Sequence, residues 1–311
     1  DDLTQALQNL ILQQALLANN EDNPDLTAGM TFLGQFLDHD MTLDITSSLE
    51  QQVDPEMIQN FRIPTFGLDS VYGLGPAGSP HLFDQTVDHG LTTLLVEKNP
   101  GAENLSRDGS MKFDLPRNSQ GTPLIGDPRN DENLVLSQLQ VAFLKFHNSI
   151  VTHLKTQLGL SNPAEVFLEA QRLTRWHYQW IILNEFLPKT IGKNLVKDIL
   201  TKGRKFYKWR NAPYIPVEFS VAAYRFGHSQ VRNAYNYNRV FRFGAGGVAP
   251  ATLALLFRFS GVSGSGNTAD IPVPSDWIID WRRFYDLPDG GVTPDATRKI
   301  DPLLAAELQR Q

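Results

Sequence analysis

A mainly α fold is predicted for this 311-residue chain by three observations. Apolar residues recur at helical spacing in several long segments, strand-like alternation is scarce, and one long stretch rich in Pro and Gly has no periodicity. The composition, 41% hydrophobic and 20% charged, is that of a globular protein able to enclose a cofactor.

Residues 3–18, rich in Leu, Ala and Gln, predict a first amphipathic helix. The polar stretch 19–27 reads as a loop, and residues 28–39 as a second helix. Residues 41–130 are irregular and punctuated by Pro and Gly, a length of loop that usually serves function. Leu134, Leu136, Leu139, Val141, Phe143, Leu144, Phe146 and Ile150 form a broad apolar face, predicting a helix over 132–157. A helix follows from about 163 to 186, with Pro163 suited to its first turn, and another over roughly 190–202. Residues 217–229 read as a buried helix, and breaks at 244–250, 261–266 and 287–294 divide the tail. No repeat or low-complexity tract appears, so residues 1–311 are expected to form a single domain.

Several function classes fall away on composition. The net charge of −6 disfavours a polyanion-binding surface, so no nucleic-acid partner is expected. With 0 Cys there is no disulfide framework, zinc–thiolate site, iron–sulfur cluster, thiol nucleophile or thiolate haem ligand. No apolar run reaches the roughly 20 residues of a transmembrane helix.

Three polar clusters stand out. Gln35, Asp38 and His39 lie at i, i+3 and i+4 and share one helical face, which brings an amide, a carboxyl and an imidazole to one pocket. A plain helix C-terminus, with His39 offsetting the dipole, would look the same. In the run from Gly126 to Asn133, Asp131 or Asn130 can cap the long helix and Glu132 suits its first turn. Capping has no use for Arg129, a residue type that often serves an anion or polar ligand. In Tyr224-Arg225-Phe226-Gly227-His228-Ser229, Gly227 removes a side chain where a flat group could approach, and a neutral imidazole is a standard haem ligand. A lone His on an apolar helix is also a common core residue. His81, His89, His147, His153 and His177 lack partner carboxylates at metal spacing and read as structural.

Taken together, GQFLDHDMT at 34–42, DPRNDEN at 127–133 and YRFGH at 224–228 resemble the peroxidase–cyclooxygenase superfamily, the animal-type haem peroxidases that include myeloperoxidase and lactoperoxidase. The resemblance runs from about residue 20 to 303, and NPDLTAGMTFLGQFLDHD, LDSVYGLGP, RWHYQW and PVEFSVAAYRFGHS look like bacterial members. It implies a mainly helical fold with a haem b between a distal helix, the helix after Glu132 and a proximal helix. By motif position it makes His39 the distal histidine, Gln35 a partner of the distal water or a halide, Arg129 the distal arginine and His228 the proximal iron ligand. Asp38 and Glu132 match the carboxylates that form ester links to haem methyl groups. Asn133 replaces the family's sulfonium-forming methionine.

Two departures accompany the match. The family's calcium site would take Asp40 and Asp69, but Gly67 stands where a carboxylate is usual, and calcium wants six to eight oxygens. The family also continues past the segment resembling 299–303 with a helix whose asparagine bonds the proximal histidine. The expectation is therefore a catalytic domain lacking its C-terminal part, completed by a separate C-terminal polypeptide.

The function so implied is reduction of hydrogen peroxide through a ferryl haem, with a small organic substrate or halide as reductant. A fatty-acid dioxygenase of the same superfamily is the alternative. In cyclooxygenases the radical tyrosine lies three residues before the proximal histidine; here that position is Arg225, and Tyr224 is displaced by one. A haem-free adhesion module would predict damaged motifs, whereas His39, Arg129 and His228 are all present.

Overall fold

The computed structural model describes residues 21–45, 54, 59–105, 111–261, 273–288 and 291–300. The helix expected over 3–18 and the end of the motif at 301–303 lie outside these residues. The fold is mainly helical, with three two-stranded antiparallel pairings among the described residues.

The first described helix, Ala28–Met41, is buried along most of its length, with Phe36 and Leu37 almost wholly inaccessible. It enters the core between two others. Phe36 stacks on Phe143 at 4.9 Å and meets Tyr178 edge-on at 6.1 Å. Phe143 belongs to the long helix Leu134–Thr156 and Tyr178 to the helix Pro163–Ile181. These aromatic contacts between distant segments hold the Gln35–His39 face in place.

Local chemistry sets the helix ends. Asn133 is the N-cap of the long helix, its side chain accepting from the Leu136 N–H at 2.9 Å. The caps expected at Asn130 and Asp131 are thereby corrected: both residues sit in a preceding 3₁₀ turn, Pro128–Asp131, which Asp127 caps. Pro163 opens the next helix, as the sequence suggests, and Asn162 caps it. That helix runs on through a π turn at Ile182–Phe186 into Leu187–Ile191, where Pro188 brings no N–H to the ladder.

Two further expectations are overturned. The loop expected over 19–27 contains a strand, Asp22–Thr27, paired with Ala296–Arg298. Its partner is some 270 residues away, and Arg232 and Arg298 both bond Asp22, a tertiary reason that local pattern does not carry. The buried helix expected over 217–229 is a single exposed helical turn, Val217–Val221, followed by 3₁₀ structure over Ala223–Gln230. The break falls at Ala222 (φ −127°, ψ −69°). Val217, Phe219 and Val221 alternate, so a helix spreads them around its surface, and all three are exposed.

Candidate active site

A cavity of about 390 Å³ opens between the first helix, the segment after Asp127 and the 3₁₀ structure that carries His228. Its lining includes Gln35, Asp38, His39, Arg129, Glu132 and His228, so three segments far apart in sequence converge on one space. Phe186, Phe226, Leu256 and Phe257 supply its apolar surface.

His39 is 5% exposed, and its Nδ1 lies 2.8 Å from Asn130 Oδ1. Burial, reinforced by the nearby Arg129 charge, lowers its pKa to about 4. The imidazole is therefore neutral near pH 7, and its 3.6 Å approach to Glu132 is not an ion pair there. Glu132 has its own pKa raised to about 6, chiefly by burial, with Arg129 and Gln35 opposing. Gln35 Nε2 donates to Glu132 Oε2 at 2.8 Å, and Asn133 Nδ2 donates to Gln35 Oε1 at 3.1 Å. Asn133 thus both caps the long helix and orients Gln35.

Arg129 is locked from behind. Its Nε and Nη2 donate to Asp127 at 3.1 and 2.7 Å, and Nη2 also reaches the carbonyls of His39 and Thr42. Arg62 binds the same Asp127 at 2.7 Å. Burial alone would raise the Asp127 pKa, but hydrogen bonds and charge from the two guanidiniums hold it below the usual carboxylate range. Gly126 makes this packing possible, since a Cβ there would come within 2.6 Å of the Asp69 carbonyl and 2.7 Å of the Ser70 carbonyl.

His228 is exposed, and its Nδ1 lies 3.0 Å from the Arg225 carbonyl. A carbonyl only accepts, so in the neutral ring Nδ1 carries the proton and Nε2 keeps its lone pair for a metal. A Cβ added at Gly227 would meet nothing within 4 Å, leaving the adjacent surface open. The oriented imidazole, the open glycine, the apolar wall and the polar cluster fit a haem.

The structure gives no support for the calcium expected at Asp40 and Asp69. Asp40 Oδ2 accepts the Leu68 N–H at 3.1 Å, and burial raises its pKa to about 6. The guanidinium of Arg175 donates to the Gly67 carbonyl at 2.6 Å, placing a positive charge on the loop that would hold the ion. Among the described residues no group of three carboxylate, histidine or cysteine ligands gathers there or elsewhere.

His147 is structural, as expected. Its Nε2–H donates to the Thr92 carbonyl at 2.8 Å and its Nδ1 accepts the Tyr72 hydroxyl at 3.0 Å. Sequence reasoning missed Asp127 and Asn130 as supports of the site and passed over Gln140, a wholly buried amide on the long helix. An uncharged polar residue inside an otherwise apolar helical face was the available signal.

The cavity thus gathers two imidazoles, a half-buried arginine and two carboxyls on a mainly helical scaffold. The chain belongs to the animal haem peroxidase family, which it matches over residues 68–246. It is 30% identical over 177 residues to a peroxidase-like protein of Margaritifera margaritifera, covering 52% of this chain and 22% of that protein. To the peroxidasin homolog pxn-2 of Caenorhabditis elegans it is 28% identical over 203 residues, 64% of this chain and 15% of the relative. Among solved structures, peroxidase A from Dictyostelium discoideum aligns with a TM-score of 0.56 at 16% identity, covering 92% of this chain and 59% of that one. A fatty acid alpha-dioxygenase of Oryza sativa aligns at 0.55 and 14% identity, covering 82% and 48%. The match thus spans only 22% and 15% of these two curated relatives' length. Nothing in these comparisons supports a separate C-terminal polypeptide. No helix among the described residues is long and apolar enough to cross a membrane.

Proposed function

We propose that residues 1–311 belong to a haem peroxidase catalytic domain that reduces hydrogen peroxide at the expense of a small organic reductant or halide. The observation that carries this reading is the convergence of His39, Arg129, Gln35 and His228 on one cavity. His228 Nε2 would hold the iron of a haem b. The chemistry haem supplies when bound is the two-electron reduction of peroxide and the oxidation of the second substrate. His39 is the general base: its neutral ring takes a proton from peroxide and returns it to the departing oxygen. Arg129, held by Asp127, offsets negative charge developing on that oxygen. Gln35, fixed between Glu132 and Asn133, orients water or a halide beside His39. Asp38 and Glu132 line the cavity as the carboxyls available for ester links to haem.

The dioxygenase alternative needs a tyrosine aimed at the reacting centre. The position three residues before His228 is Arg225, ion-paired with Asp38, and the Tyr224 hydroxyl donates to the Gly34 carbonyl at 3.1 Å. A carbonyl is a poor acceptor for the proton that a tyrosine must lose when it is oxidised to a radical, which favours the peroxidase. The deciding experiment is haem reconstitution, followed by absorption spectra and phenol oxidation with and without peroxide. Peroxide-dependent oxidation that vanishes in His39→Ala supports the proposal; haem binding with no response to peroxide refutes it.

A further inference from the structure

Three buried polar groups behind His39 form a chain whose direction is fixed at its far end. Gln140 Nε2 lies 3.2 Å from the Ser70 backbone carbonyl, Asn130 Nδ2 lies 2.8 Å from Gln140 Oε1, and His39 Nδ1 lies 2.8 Å from Asn130 Oδ1. Ser70, Gln140 and Asn130 are each 0% exposed, so side-chain hydrogen bonds inside the protein must satisfy the amides. A backbone carbonyl carries no proton, so Gln140 must turn its NH₂ toward Ser70. Its oxygen then faces Asn130, which must turn its own NH₂ toward Gln140. That leaves Asn130 Oδ1, an acceptor only, facing the imidazole.

We infer that Gln140 and Asn130 are positioning residues that set the tautomer of His39, placing its proton on Nδ1 and its lone pair on Nε2. The inference rests on the peroxidase reading for its purpose, since a ring with this tautomer can take a proton from peroxide at Nε2. The competing pull is explicit. Glu132 Oε2 lies 3.6 Å from His39 Nε2 and, left alone, would favour a proton there. The Asn130 contact is shorter by 0.8 Å, the difference between 3.6 and 2.8 Å, and lies at normal hydrogen-bond distance, whereas the Glu132 approach does not. The Glu132 oxygen is already engaged by Gln35. The relay therefore decides the tautomer, and without it the ring would present Nε2–H and no base. Asn130 belongs to a 3₁₀ turn and Gln140 to the second turn of the helix after it, so both ends of the relay are built on ordered backbone. Gly126 lets that turn approach the Ser70 carbonyl closely.

The test reads the proton directly. Nitrogen-15 NMR of histidine-labelled, haem-free protein near pH 7 distinguishes protonated from unprotonated ring nitrogens, and loss of one ring's signals in His39→Phe assigns His39. A proton on Nδ1 is expected; a proton on Nε2 in the unaltered protein overturns the inference. Gln140→Met removes the relay's anchor while keeping its bulk, freeing Asn130 to flip its amide. The proton should then move wholly or partly to Nε2, and an unchanged tautomer overturns the relay. Asn130→Asp, which keeps an acceptor toward the ring without needing Gln140, should retain Nδ1–H even when combined with Gln140→Met. Because these readouts use haem-free protein, a correct tautomer with no peroxide reaction after reconstitution would refute the peroxidase reading and leave the relay standing.

Discussion

Arg225 Nη1 and Asp38 Oδ2 lie 3.0 Å apart, joining the segment that carries His228 to the helix that carries His39. The two residues are 187 positions apart in the chain. Asp38 is buried, whereas the Arg225 side chain is 44% exposed, so water screens the pair and little global stability rides on it. Its geometric effect is larger, because the 223–230 segment has few other buried anchors. Arg225→Gln is expected to lower unfolding free energy by no more than about 1 kcal/mol while weakening haem binding severalfold. Haem titration alongside urea unfolding checks this; unaltered haem affinity would show that the pair does not position His228.

The two imidazoles should fail in different ways. His228→Ala should abolish the histidine-coordinated haem spectrum, and an unchanged Soret band would remove His228 from the iron. His39→Ala should retain haem but slow the reaction with peroxide by about two to four orders of magnitude, the usual contribution of a general acid–base group. Stopped-flow mixing with peroxide measures it, and normal kinetics would exclude His39 as the base.

Much of this site was legible because motif residues sit on a strongly patterned helix. Gln35, Asp38 and His39 share a face whose neighbours Phe36 and Leu37 must be buried, so their direction follows from periodicity. The surroundings were less legible. The strand at Asp22–Thr27 depends on a partner near residue 297, and the exposure of 217–221 depends on what packs against it. The His39–Asn130 contact joins residues 91 apart, a separation at which no local spacing rule applies. Asn130 looked like a cap because its residue type suits caps equally well.

Gly126 should be intolerant of any side chain. The methyl of Gly126→Ala would fall 2.6 Å from the Asp69 carbonyl and 2.7 Å from the Ser70 carbonyl, and both obstacles are backbone atoms that cannot rotate away. Overpacking of this kind costs roughly 1–3 kcal/mol. Equilibrium urea unfolding should show that loss, and a variant as stable as the parent would mean the loop has room to move.

Acid should weaken the protein partly through His147, which lies away from the cavity. Burial lowers its pKa from 6.5 to about 4, because a charged ring would lose hydration it cannot regain between Tyr72 and Thr92. The unfolded chain therefore binds a proton at His147 that the folded chain refuses between these two values. Where the unfolded state binds more protons, stability rises with pH, so it must fall as pH drops from about 6.5 toward 4. Between pH 7 and 5 the shift to about 4 corresponds to about 2 kcal/mol from this residue alone. His39 contributes in the same direction, so the isolating measurement is a difference. His147→Gln keeps an amide donor for Thr92 but has nothing to titrate. It should start less stable than the parent at pH 7 and lose about 2 kcal/mol less on going to pH 5. Urea midpoints at the two pH values provide the comparison, and equal losses in parent and variant would show that His147 is not held neutral by burial.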